Sequence, residues 1–262
     1  MNNFYKYESS TDQWSEIAVF PGNARSGATG FSVGGFGYVG LGKSSSFHND
    51  FWKYDPATDS WTQITSFPGE PRYGVVSFVI GGYAYVGTGT AGETGMPSEK
   101  MFNDFWRYDP STDSWTQIAS LETPGRAFAF SFASSTKGYV GTGFPGLQSG
   151  RDLYDDFWEY DPNTDEWSER KKLISSGEGG IAFYVHGRGY TNIDVSFGGF
   201  YYYDADTDEW INSRYFVNID NSALGLSTSK HGYMLAIESI WSTEQNKSVY
   251  QLQLYEFSPL PE

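Results

Sequence analysis

The chain is 262 residues long and carries 9 Trp, 20 Tyr, 20 Phe and 31 Gly with no cysteine, at a formal net charge of −15. That charge argues against non-specific nucleic-acid binding, which needs Lys and Arg to neutralise phosphates, and the missing cysteine excludes disulfides, thiolate metal sites and cysteine nucleophiles. No apolar run has the length of a membrane-spanning helix, and turn-forming glycine beside strand-favouring aromatics points to an all-β protein.

The start, MNNFYKYESS, has neither the basic head nor the apolar core of a signal peptide. FYKYESSTDQW (4–14) predicts two strands about a tight turn. RSGATGFSV (25–33) alternates small and apolar residues, as suits a crowded innermost strand. GFGYVGLGKS (35–44) satisfies G-x-x-x-x-G-K-[ST] from Gly37 to Ser44 and G-x-G-x-x-G from Gly35 to Gly40. Both phosphate-loop patterns need a helix after the glycines, whereas SSSFHNDFW leads into another strand. FWKYDP (51–56) alternates with period two, putting Phe51, Lys53 and Asp55 on one side and Trp52 and Tyr54 on the other. DPATD then predicts a tight turn, and SWTQI (60–64) a closing strand.

The same elements recur. FYKYESSTDQW (4–14), FWKYDPATDSW (51–61), FWRYDPSTDSW (105–115), FWEYDPNTDEW (157–167) and FYYYDADTDEW (200–210) align on tryptophans 47, 54, 52 and 43 residues apart. A second block repeats between them, with Tyr38, Tyr85, Tyr139, Tyr190 and Tyr233 as its fixed point. The apparent phosphate loop is the first copy of this block, and Lys43 has no counterpart in GYAYVGTGTA or KGYVGTGFPG. Four strands per unit give a partial unit at 1–19, complete units at 20–66, 67–120, 121–172 and 173–215, and a partial unit at 216–262. That makes two strands, sixteen and three, hence twenty-one. One four-stranded unit cannot bury both of its faces, so the units are expected to pack radially as blades of a single propeller domain over 1–262. Two plans remain open. In a five-bladed ring the Trp14 strand completes the blade begun by residues 220–257; a six-bladed ring lacks three strands at the front.

The Gly-Gly-x-x-Tyr-Val strand, the Asn-Asp-Phe-Trp-x-Tyr-Asp-Pro strand and the spaced Trp resemble kelch repeats over nearly the whole chain. The resemblance implies an all-β, kelch-type propeller related in architecture to that of galactose oxidase. Repeats of this FWxYDPxTDxW style also resemble those of exported or surface-anchored bacterial kelch proteins, which implies an extracellular, periplasmic or cell-surface location. The galactose-oxidase copper cofactor requires a Cys–Tyr cross-link that this chain cannot form. No cofactor and no metal are expected. Asp50, Asp104 and Asp156, before each Phe-Trp, and Asp55 and Asp59 with their repeats, read as turn braces, and His48, His186 and His231 fall at unrelated positions.

Antiparallel order sends alternate connections to opposite ends of each sheet. The loops 41–49, 88–103 and 142–155 vary widely, and function is expected on that end. Thirteen residues before each repeat Tyr stand Arg25, Arg72, Arg126, Gly177 and Asp220. The arginines either brace loop carbonyls and a neighbouring blade's acid, or form a bidentate channel-mouth site for a carboxylate, sulfate or acidic peptide. The resemblance favours the second role, since arginines opening the innermost strand help form the partner funnel of eukaryotic kelch relatives. Phe47, Phe102 and Tyr154 are the loop aromatics placed to stack on a sugar or peptide. The function expected is a non-catalytic binding or scaffold propeller whose partner is a protein, an acidic peptide or an acidic glycan. The alternative is a carbohydrate-active enzyme resembling a sialic-acid mutarotase, with Glu178 or Glu93 as acid–base group. Every charged motif is repeated, as architecture requires, and this favours binding over catalysis.

Overall fold

The computed structural model describes residues 2–92, 96, 98–147, 152–192, 199–216, 223–227, 232–242 and 247–257. The expectations for Glu93, Asp220 and His231 lie outside them. The chain forms two compact units, Met1–Ala127 with Gly146–Gln148, and Phe128–Pro145 with Ser149–Glu262. No α-helix occurs among the described residues, and none there is long and apolar enough to cross a membrane.

The first unit opens with the hairpin β1 (Tyr5–Glu8) and β2 (Gln13–Glu16). The strands β3 (Thr29–Val33), β4 (Phe36–Gly40), β5 (Phe51–Asp55) and β6 (Ser60–Ile64) follow as one antiparallel sheet in chain order. A second such sheet holds β7 (Val76–Ile80) and β8 (Tyr83–Gly87), then, after the two-residue strands β9 (Thr90–Ala91) and β10 (Lys100–Met101), β11 (Phe105–Asp109) and β12 (Ser114–Ile118). The second unit repeats the plan with β13 (Phe130–Ala133), β14 (Gly138–Gly141), β15 (Phe157–Asp161) and β16 (Glu166–Arg170), and with β17 (Ile181–Val185), β18 (Arg188–Asn192), β19 (Gly199–Asp204) and β20 (Glu209–Phe216). It ends in a three-stranded sheet of β21 (Ala223–Ser227), β22 (Gly232–Ser242) and β23 (Lys247–Phe257). The expected two strands, four sheets of four, and three are all present.

Register shows why the repeat has its composition. Tyr38 lies opposite Lys53, and Gly40 opposite Phe51. The Phe51 ring lies flat over Gly40, so closely that a Cβ there would sit 2.4 Å from it. Gly42 takes φ of 97° beside Ser26 and Ala28, and Lys43 then pairs backbone to backbone with Ser26. The glycines of the apparent phosphate loop are thus strand and turn glycines, and no helix follows them.

The YDPxTDxW signature joins neighbouring sheets. Asp55 and Asp109 cap their own turns by accepting the N–H of Ala57 and Ser111. The second Asp does more than the local bracing expected of it. Asp113, held at φ of 49°, accepts the Tyr108 hydroxyl at 2.8 Å and the backbone N–H of Thr65 in the preceding sheet at 3.1 Å. The Trp115 indole N–H donates to the carbonyl of the same Thr65 at 3.0 Å. One peptide is therefore gripped at both its donor and its acceptor. Asp59 and Trp61 hold Ala18 in the same way, as Asp208 and Trp210 hold Lys171. Asp113→Ala loses these bonds and places a Cβ residue without a local acceptor in the left-handed region, which costs about 1–2 kcal/mol. Urea unfolding should show the lower midpoint at an unchanged m-value.

Candidate functional site

At the loop end of the first unit, the arginines are braces. Arg25 donates Nε to the Asn23 carbonyl and Nη1 to that of Leu41, and it forks onto both Asp50 oxygens at 2.5 and 2.8 Å. Arg72 repeats each contact with Glu70, Thr88 and Asp104. Each carboxylate also accepts the indole N–H two residues on, from Trp52 and Trp106. The partner acid therefore belongs to the same repeat, not to a neighbouring blade. Side-chain exposure is only 4% for Arg25 and 1% for Arg72, so both guanidiniums are enclosed and committed rather than offered to a ligand. Arg126 is fully buried and donates to the Thr123 hydroxyl at 2.7 Å.

The backbone at the same position ties successive repeats together. Gly42 N–H donates to the Arg72 carbonyl, Gly89 to that of Arg126, and, in the second unit, Gly143 to that of Gly177. Burial alone pushes the Asp104 carboxyl up. The Arg72 hydrogen bonds and charge, with the Trp106 N–H, outweigh it and hold the group below the usual carboxylate range, and Asp50 behaves likewise. Because the folded-state pKa values are depressed, this stability is present above the ordinary carboxylate pKa of about 4 and is lost as pH falls through the folded values. The urea midpoint should fall with acidification below about pH 4, and less steeply in Asp104→Asn.

The loop aromatics are also engaged. Phe102 is buried and lies 3.6 Å from the Arg72 guanidinium. Phe47 stacks on Tyr73 with the Lys43 ammonium above both rings. Tyr154 is half-buried, and its backbone bridges Gly143 and Gly177. His48 bonds Ser44, and burial, then the nearby Arg25, push its pKa down. Glu178 is exposed. Among the described residues, no group of three or more His, Asp or Glu is placed to hold a metal ion.

A cavity of about 500 Å³ lies instead at the opposite, turn end of the second unit, between the sheets β13–β16 and β17–β20. The Ser134–Lys137 turn, Glu159, Tyr184, Gly187–Arg188 and the Asp204–Asp206 turn line it, with Tyr139 and Phe132 at the protein side. The corresponding seam in the first unit is closed by Val33, Phe36 and Val79, packed on Tyr38 and Tyr108. By repeat alignment those three become Ser134, Lys137 and Tyr184, while Lys53 becomes Glu159 and Ile64 becomes Arg170. An apolar plug has been exchanged for polar groups, and the space opens.

The exchanged residues form one network. Glu159 stands directly opposite Tyr139 and accepts its hydroxyl. Arg170 donates to the same carboxylate at 2.8 Å, and Lys137 pairs with Asp161, its cross-strand neighbour. Burial, and then the hydrogen bond to Glu159, push the Tyr139 pKa well up, and burial alone raises that of Tyr184. Both therefore remain hydroxyl donors at neutral pH. The Tyr184 ring stacks on Phe132 at 6.3 Å, and its hydroxyl has no hydrogen-bond partner among the described residues. Phe132 fits only because residue 189 is glycine, where a Cβ would meet the ring at 2.0 Å. Carboxylate acceptor, ammonium donor, hydroxyls and an aromatic wall thus converge on one small-molecule-sized space.

A family model described as the kelch motif matches residues 31–68, which span β3 to β6 and the segment after them. No curated protein sequence matches the chain. Among solved structures the chain is similar to that of YjhT, at 18% identity and a TM-score of 0.76, over 98% of this chain and 91% of that one. A likeness at that identity speaks for the fold. With its repeats, its sheets of four and this neighbour in agreement, the chain carries a kelch motif and has the fold of a kelch-type β-propeller.

Proposed function

We propose that the protein is a non-catalytic binding propeller whose ligand occupies the turn-end cavity of the second unit. A kelch propeller fold supports a binding or scaffold role in general. The observation that carries the location is the exchange of the Val33–Phe36–Val79 plug for Ser134, Lys137 and Tyr184. A core seam that abandons apolar packing gives up stability, and such departures from a consistent pattern are expected at functional positions. A preference for acidic ligands needs free guanidiniums, whereas those of Arg25 and Arg72 pair with Asp50 and Asp104. A binding role without turnover fits the architecture of Glu159, which two donors hold as a fixed acceptor.

The test uses two plugs from opposite rims, Ser135→Trp and Ala205→Trp. Both positions are exposed turn residues lining the cavity, so each change should move stability by no more than about 0.5 kcal/mol. A thermal-shift screen over sugars, peptides and small amines should find ligands that raise the wild-type melting temperature and lose that effect in either plug. A ligand that stabilises both plugs as well as the wild type would place binding elsewhere on the propeller.

A further inference from the structure

We infer that the cavity takes a short neutral saccharide; this deepens, and rests on, the binding role proposed above. Three features of the cavity select that chemistry. First, its inner charges are paired, Glu159 with Arg170 and Lys137 with Asp161, while at the rim Asp204 caps its own turn, Arg188 lies over the Tyr202 ring and Asp206 is exposed to water. An anion or a cation moving in from the rim to those inner pairs would give up its hydration without meeting an unpaired opposite charge there. A neutral polyol loses far less, and each hydroxyl both donates and accepts.

Second, the groups present match hydroxyls in both directions. Glu159 uses two donors, Tyr139 and Arg170, and a carboxylate has about four acceptor positions. The Lys137 ammonium has three donors, one of them engaged by Asp161. Tyr184 adds a hydroxyl without a partner among the described residues, and the Ser135 and Thr136 hydroxyls stand on the rim. The Ser134 hydroxyl, by contrast, is consumed by its own turn, accepting the N–H groups of Thr136 and Lys137. Third, Tyr184 and Phe132 form a stacked aromatic wall, an apolar surface with a polar edge that suits the C–H face of a pyranose. An extended peptide gains its main affinity from an unpaired strand edge, whereas these walls are turn tips and side chains.

Saturation-transfer NMR on the whole chain tests this with lactose, maltose, cellobiose and N,N′-diacetylchitobiose. Sialyllactose, choline and a mixed-sequence tetrapeptide serve as the acidic, cationic and peptide arms. At least one neutral disaccharide should receive saturation. Its affinity should fall roughly tenfold or more in Glu159→Gln, because a hydrogen bond to a charged acceptor is worth about 1.5–3 kcal/mol, and binding should vanish in Ala205→Trp. Tyr184→Phe keeps the stacked wall and should weaken binding less. Sialyllactose, choline or peptide bound in place of the neutral sugars, and blocked by Ala205→Trp, would overturn the saccharide assignment while leaving the binding role standing. A neutral sugar indifferent to Ala205→Trp would overturn the assignment of the cavity. Silence from every probe would overturn both.

Discussion

Arg72→Ala is expected to cost about 3–5 kcal/mol of folding stability, the range for breaking a buried ion pair by removing one partner. The side chain is 1% exposed, forks onto Asp104, reaches the Thr88 and Glu70 carbonyls, and lies 3.6 and 5.1 Å from the Phe102 and Phe67 rings. Truncation strands the Asp104 carboxylate with the Trp106 indole as its remaining side-chain donor, deprives two carbonyls of a donor, and opens a void between two rings. Because the Asp104 side chain keeps 20% exposure, water relieves part of this, and the lower half of the range is the better expectation. Asp104→Ala should cost less than Arg72→Ala. The double variant should cost well under the sum, with a coupling of about 1–3 kcal/mol in a double-mutant cycle. Arg25→Ala should be milder, since a single ring, Phe20 at 5.3 Å, flanks its guanidinium. If Arg72→Ala unfolded within about 1 kcal/mol of the wild type, the guanidinium would be free after all, and the channel-mouth reading would return.

The arginine position shows how far a single sequence carries. The spacing from each repeat Tyr marks it correctly, but Asp50 and Asp104, each taken alone, read as turn braces rather than as its partners. The separation hid the pairing: Arg25 and Asp50 are 25 residues apart and Arg72 and Asp104 are 32, because the intervening loops differ in length. A signal was nevertheless there. The repeats with Arg25, Arg72 and Arg126 are those with Asp50, Asp104 and Asp156, while the repeat with Gly177 has Gly199 in place of the acid. Joint presence and joint loss are what a paired brace produces.

Strand order and turn chemistry are legible for a different reason. Each is repeated, so the pattern reports the same physical demand several times. The cavity is the reverse case. Lys137, Glu159, Arg170 and Tyr184 lie on β14, on β15 and β16, and on β17 of the next sheet, or in the turns beside them. Nothing in their spacing unites them until the sheets are packed. What sequence does show is the break in pattern, Glu159 against Lys53 and Arg107, and Arg170 against Ile64 and Ile118. In sequence the loop end is the more conspicuous, because loops vary there in length while the turn end varies only in side chains.

Gly40→Ala and Gly37→Ala should have opposite outcomes, and together they test the phosphate-loop resemblance of GFGYVGLGKS. A Cβ at position 40 would stand 2.4–2.5 Å from three atoms at the root of the Phe51 ring. That ring is fully buried, packed with Leu41, Phe67 and Val86, and has nowhere to retreat. Overpacking of this kind costs about 1–3 kcal/mol, with the upper end expected because the clash is with the ring's first atoms rather than its tip. Gly87→Ala should be worse, since its Cβ would also meet the Asp104 carbonyl oxygen at 2.6 Å, and backbone cannot step aside. At Gly37 the nearest atom is the Tyr54 Cβ at 3.8 Å, an ordinary contact. Replacing a strand-interior glycine there removes unfolded-state freedom, so Gly37→Ala should be neutral to stabilising by about 0.5–1 kcal/mol. A phosphate loop makes the contrary demand: Gly37 opens the motif, and Lys43 must reach the phosphates. Here Lys43 lies over Phe47 and Tyr73, and Lys43→Ala should leave the melting temperature nearly unchanged with or without Mg-ATP. A wild-type shift with Mg-ATP that Lys43→Ala abolishes would restore the nucleotide reading; glycine sensitivity that follows the Phe51 ring leaves this stretch as a strand built to pass beneath an aromatic side chain.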